Sequence, residues 1–159
     1  MKDSLFKILF LIVIAFNIES YINIFLSKFY IVIPLSFLTY SYFAYKSSIG
    51  FSSSSSFLFG LFVDLISGTF IGLNALVYSI STYIINSYRY VFRLFSYLQI
   101  SIFFGIISTV YIGITHLFIN LANYSYLTLF ISFGINTLLS LLISVIRVYR
   151  PTFYKSRKL

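Results

Sequence analysis

From Leu94 to Ile146 the chain carries no formally charged side chain, and from Phe57 to Tyr88 it carries only Asp64. A surface bathed in water needs about a quarter of its residues charged, whereas 9% of these 159 residues are. Hydrophobic residues make up 60%, and the mean hydropathy is +0.99. The solvent for most of the chain is therefore lipid. Runs this long and apolar predict an all-α polytopic membrane protein, with residues 1–159 forming a single membrane domain.

The formal net charge of +8 invites comparison with nucleic-acid binders. Here, however, the basic residues lie between and beyond apolar runs rather than in one patch, which argues against phosphate-backbone recognition. Cysteine is absent, which removes disulfide frameworks, thiol nucleophiles and cysteine-based metal sites. Lys2 and Lys7 precede an apolar run that continues to about Leu26, past signal-peptide length. No small-x-small cleavage pattern occurs near Asn17–Ser20, so the run reads as an uncleaved first spanning helix.

About twenty apolar residues cross the roughly 30 Å hydrocarbon core as a helix. On that scale Phe57–Tyr88 is long for one crossing and short for two, and Ser67, Gly68 and Thr69 are its turn-like cluster. Positive charge collects on the cytoplasmic side of membrane proteins, so the two possibilities can be scored. With six crossings and a cytoplasmic N-terminus, ten of the eleven basic residues lie inside: Lys2, Lys7, Lys46, Arg89, Arg93, Arg147, Arg150, Lys155, Arg157 and Lys158. Lys28 alone falls outside. With five crossings the same eleven divide eight against three. Six helices are expected, at about 5–26, 29–45, 54–67, 70–87, 95–119 and 126–148, with a basic cytoplasmic tail at 149–159 that Pro151 introduces. The turn between the last two falls at Asn120–Ser125. The short third helix is expected to be buried among its neighbours and not lipid-facing.

Asp64 is the most informative residue, because an ionised carboxylate amid Phe62, Val63, Leu65 and Ile66 is costly in lipid. One reading makes it functional, as a proton relay, ion site or partner contact. The other has it accept hydrogen bonds from backbone N–H groups at Gly68–Thr69. Gly60, Asp64 and Gly68 share a helical stripe through which a neighbouring backbone could approach closely, and Gly72 continues the spacing into the next helix. Glu19 reads as an exposed interfacial acid, or as one neutralised by Lys28 just beyond it, and His116 as interfacial or hydrogen-bonded. Asn74 and Asn136 are mid-helix amides suited to bonding between helices. Ser52–Ser56 reads as a flexible linker whose last serines cap the third helix. The three acids and one histidine are scattered, which gives no catalytic constellation, no metal site and no cofactor motif. An enzyme is not expected.

The segment from Phe59 to Leu76, FGLFVDLISGTFIGLNAL, resembles the signature region of the bacterial rod shape-determining MreD family. Gly60, Asp64, Leu65, Ser67, Gly68, Thr69, Gly72, Ala75 and Leu76 match its G-x-x-x-D-L-x-S-G-[ST]-x-x-G-x-x-[AV]-L pattern. The two basic residues after the fourth helix and the basic tail agree with the family layout. Where the family often has a Pro-Asn or Pro-Asp pair and a Trp before the second helix, this chain has Lys28-Phe29-Tyr30. The linker before the signature is serine-rich instead of carrying the family's usual Arg and Asn.

The resemblance implies a helix arrangement similar to the substrate-binding subunits of energy-coupling-factor transporters. It also implies residence in the bacterial inner membrane and a non-enzymatic role in cell elongation and peptidoglycan synthesis. The implied partners are the bitopic protein MreC and, through it, the RodA glycosyltransferase, its penicillin-binding transpeptidase and MreB filaments. A small-solute carrier or vitamin-binding subunit is the competing expectation, motivated by Asp64 and the likeness of the folds.

Overall fold

The computed structural model describes residues 2–46, 51–68, 70–92, 94–119 and 125–149, and these are helical with short connections. Seven helices appear among them: α1 (Lys2–Leu26), α2 (Leu35–Lys46), α3 (Ser53–Ser67), α4 (Leu73–Ser87), the single turn α5 (Arg89–Phe92), α6 (Tyr97–Ile119) and α7 (Tyr126–Tyr149). Three apolar helical segments are long enough to cross a membrane: Phe6–Phe29 at α1, Tyr97–Ile119 and Tyr126–Ser144. Consecutive long helices pair as α1 with α2, α3 with α4 and α6 with α7, while α2 also packs on α4 and α6.

The second helix begins later than residue 29. A 3-10 turn, Ser27–Phe29, ends at Tyr30 with φ 58°, and Ile31–Pro34 has no regular structure. Pro34 explains the break: it has no N–H to donate and it disfavours the helical conformation at Ile33. The Pro34 carbonyl then accepts the first helical bond, from Leu38 N–H at 2.9 Å. Helix α2 alone is about 18 Å long, and Ile31–Pro34 can add up to about 13 Å.

Irregular backbone packed between helices must find partners outside a helical ladder. Asn23 on α1 provides two, its amide oxygen accepting from Ile33 N–H at 3.0 Å and its amide nitrogen donating to Ile33 O at 3.1 Å. On the other side, Val32 N–H donates to Ser132 Oγ at 2.9 Å, and Asn136 Nδ2 donates to Val32 O at 3.1 Å. Two asparagines and a serine thus stand in for the missing helical ladder.

Helix α3 starts at Ser53 because Ser52 is its N-cap, its Oγ accepting from Ser54 N–H at 3.4 Å. The first serine of the run caps the helix, not the last. Helix α6 starts at Tyr97, two residues later than expected, because Ser96 and Gln99 form a capping box. Ser96 N–H donates to Gln99 Oε1 at 2.8 Å, and Gln99 N–H donates to Ser96 Oγ at 3.4 Å. The expectation that α3 is shielded from lipid is not met. Leu58 and Leu65 are 66% and 69% exposed, and Phe57, Phe62 and Ile66 are exposed with them. Only the face carrying Ser56, Phe59, Gly60, Val63 and Asp64 is buried.

The centre of the bundle is an aromatic column. Tyr111 stacks on Phe37 at 4.6 Å with the rings 8° from parallel, Phe37 tilts against Tyr78, and Tyr78 stacks on Tyr40 at 4.5 Å. The Tyr40 hydroxyl shares a hydrogen bond with Thr82 Oγ1. The column joins α2, α4 and α6, with large planar side chains filling the core and the Tyr40 and Tyr111 hydroxyls bonded to α4.

Candidate functional site

Helix α3 ends after Ser67, where Gly68 takes the left-handed conformation at φ 63° and its N–H donates to Asp64 O at 3.1 Å. Gly72, at φ 101°, then serves as N-cap of α4. Both positions require a conformation that favours glycine. Neither residue has a side chain to cap α4, so the first turn of that helix needs an acceptor from elsewhere.

Asp64 is that acceptor. Its Oδ2 accepts from Gly72 N–H at 2.9 Å and Ala75 N–H at 3.3 Å, and its Oδ1 accepts from Asn74 N–H at 3.0 Å. The carboxylate is buried at 1% exposure. Its negative charge sits at the positive end of the α4 dipole, which offsets its transfer out of water. The backbone-capping reading of Asp64 therefore describes the geometry, with these N–H groups at the start of α4, while Gly68 N–H goes to the Asp64 main-chain oxygen. Thr69 itself lies outside the described residues. Ser67 Oγ donates back to Asp64 O at 3.2 Å.

Gly60 makes the reach possible. A Cβ there would overlap the backbone of Asn74 and Ala75, so α3 and α4 touch main chain to main chain one turn below the carboxylate. Asn74 extends the connection, its Oδ1 accepting from Tyr111 OH at 2.6 Å and tying α4 to α6 at the top of the aromatic column. Gly60, Asp64, Gly68, Gly72 and Asn74 are thus brought together at a single helical hairpin and its support.

A second carboxylate repeats the device. Glu19 Oε2 accepts from Ser36 N–H at 2.8 Å and Ser36 Oγ at 2.6 Å, capping the first turn of α2 from α1. The expected exposed interfacial acid is instead packed against a neighbouring helix, and among the described residues it has no ion pair with Lys28. Two helices that begin without a capping side chain of their own each borrow a carboxylate from an adjacent helix.

Between these caps lies a recess of about 270 Å³. Its polar lining comes from Glu19, Ser67, Asn74, Tyr111, Thr115 and His116, on walls that include Phe16, Pro34 and Ile112. His116 is half-buried there. Among the described residues, no group of three or more histidine, cysteine or acidic side chains gathers into a metal-binding set.

At the other end of the bundle, Lys46 ends α2 and Arg89 opens α5. Arg89 Nη2 donates to Asn86 Oδ1 at 3.0 Å, and Asn86 Nδ2 donates to Phe51 O at 2.8 Å, tying the end of α4 to the approach to α3. Tyr45 meets both Phe92 and Phe104 edge to face, bringing the end of α2 to α5 and the start of α6. Arg147 lies in the backbone of α7, while Arg93, Arg150 and the rest of the tail lie outside the described residues.

Sequence reasoning missed Glu19 as a cap and Asn23 and Ser132 as supports of Ile31–Pro34. Pro34 was the available signal, since a proline inside an apolar run predicts a helix start with backbone groups to satisfy. No protein-family model matches the chain, and neither the curated proteins nor the solved structures include a significant match.

Proposed function

We propose that the chain is a non-enzymatic, MreD-like scaffold of the cell-elongation machinery, crossing the bacterial inner membrane six times with both termini cytoplasmic. In this reading α1, α2 with Ile31–Pro34, α3, α4, α6 and α7 are the crossings. Lys46 and Arg89 lie at the cytoplasmic end, and the two carboxylate caps lie towards the outer one. The bundle holds the membrane helix of MreC, through which it acts on the RodA glycosyltransferase, its transpeptidase and MreB filaments. A scaffold shifts such an assembly only by binding one of its states more tightly than another.

The observation that carries this reading is the physical unity of the signature. Gly60, Asp64, Gly68 and Gly72, four of the residues behind the resemblance, meet at one hairpin, where Asp64 is engaged by the α4 N-terminus. A carboxylate so engaged holds a shape, as a scaffold requires. Depleting the protein in its host should widen and round the cells; unchanged width and rod shape on depletion would sink the proposal.

The recess favours a second reading, a small-solute carrier or vitamin-binding subunit, because polar groups converge there on a partly apolar cavity. Its volume lies just below the usual range for sites that enclose drug-sized ligands, roughly 300–1,000 Å³. Copurification of a stoichiometric small molecule would favour it over the scaffold.

A further inference from the structure

Helix α1 lies at the edge of the bundle. Its packed face carries Ile8, Ile12 and Glu19, with the two isoleucines 7% and 1% exposed. With about 100° of rotation per residue, Phe6, Phe10, Ile14, Asn17, Tyr21 and Ile24 fall within an arc of about 80° on the opposite side. All six are exposed. From Phe10 to Ile24 their spacing alternates four and three, the repeat by which one helix packs along another.

Asn17 sits at the centre of this seam and of the apolar segment Phe6–Phe29. Its Nδ2 donates to Val13 O at 2.8 Å, one turn back. Among the described residues, its second N–H and its Oδ1 have no partner. Water could serve them at an aqueous surface, but hydrocarbon offers neither donor nor acceptor. An amide placed at mid-membrane on an outward face therefore calls for a second helix.

We infer that this seam is a self-association surface, on which two copies of the chain pair through α1 with Asn17 against Asn17. Insertion gives all copies the same orientation, so two α1 helices related by an axis along the membrane normal run parallel in register. Asn17 is then at the same depth in both without further adjustment. The amide carries both donor and acceptor, so a two-fold pair satisfies both copies with two N–H···O bonds. Such an interface is isologous and closed. The inference does not depend on the scaffold reading.

The full chain in phosphatidylcholine vesicles provides the test. Because the chain has no cysteine, each introduced one is unique. Copies labelled with donor or acceptor dye at Ser87→Cys should transfer energy above the level of random proximity, increasingly so as protein density rises. Asn17→Val should shift the midpoint about tenfold towards higher density, and Asn17→Gln should shift it less. Oxidative cross-linking should be efficient at Ile14→Cys and Ile24→Cys but weak at Ile22→Cys, which is exposed yet points off the seam. Energy transfer at the random level at every density overturns the inference. So does transfer indifferent to Asn17→Val, or cross-linking at Ile22→Cys equal to that on the seam.

Discussion

Replacing Asp64 by alanine isolates the interaction on which the α3–α4 hairpin depends. Loss of an ordinary N-cap costs about 0.5–2 kcal/mol, but a solvated helix end recovers part of its bonding from water. Here the N–H groups of Gly72, Asn74 and Ala75 would lose a charged acceptor inside the bundle, at 2.9, 3.0 and 3.3 Å. Hydrogen bonds to charged groups contribute about 1.5–3 kcal/mol each. The longest contributes least, and fraying of the first turn of α4 relieves part of the loss. The expected destabilisation is therefore about 3–5 kcal/mol. Asp64→Asn should recover less than half, because the amide offers one acceptor oxygen and turns a donor towards a cluster of donors. Unfolding in mixed micelles with increasing dodecyl sulfate, followed by circular dichroism, gives the stability. Hydrogen exchange at the three amides localises the effect. A loss below about 1 kcal/mol, with protection at residues 72, 74 and 75 unchanged, would refute the reasoning.

Gly60→Ala should cost about 1–3 kcal/mol in the same assay, because the added methyl meets backbone rather than a movable side chain; a neutral result would mean the hairpin is looser than described. Asn74→Ala and Tyr111→Phe should each destabilise by about 1 kcal/mol, and the double variant should cost less than their sum because both remove one bond. Full additivity would separate the two residues. Cysteines at Lys46 and Arg89 should react with an impermeant reagent from one side of sealed membranes, and a cysteine at Lys28 from the other. Reaction of all three from one side would remove the six-crossing topology.

The long apolar helices were legible because they depend on runs of apolar residues, which local sequence records directly. The hairpin was legible for a different reason. Gly68 and Gly72 occupy positive φ, and Gly60 occupies a backbone contact, so each position calls for glycine whatever surrounds it. Asp64 is legible as an anomaly, but Gly72, Asn74 and Ala75 are not legible as its partners, because their N–H groups come to it through the fold of the hairpin. Pro34 marks a helix start whose first N–H groups need an acceptor, but nothing local points to Glu19, seventeen positions from Ser36, as the residue that supplies it. The same holds for Val32 with Ser132 and Asn136, about a hundred residues away. Helix α3 was expected to be shielded because it is short. The structure shields only one face, which suffices to bury Asp64 while Leu58 and Leu65 remain on the outside.

A scaffold of the proposed kind works by holding another membrane protein. Purification of the intact chain from native membranes in a mild detergent, with identification and quantification of everything that accompanies it, tests this most directly. A bitopic, MreC-like protein in fixed ratio to the chain is expected, with no small molecule at comparable stoichiometry. Recovery of the chain with a stoichiometric small molecule, and without any such protein, would contradict the scaffold reading.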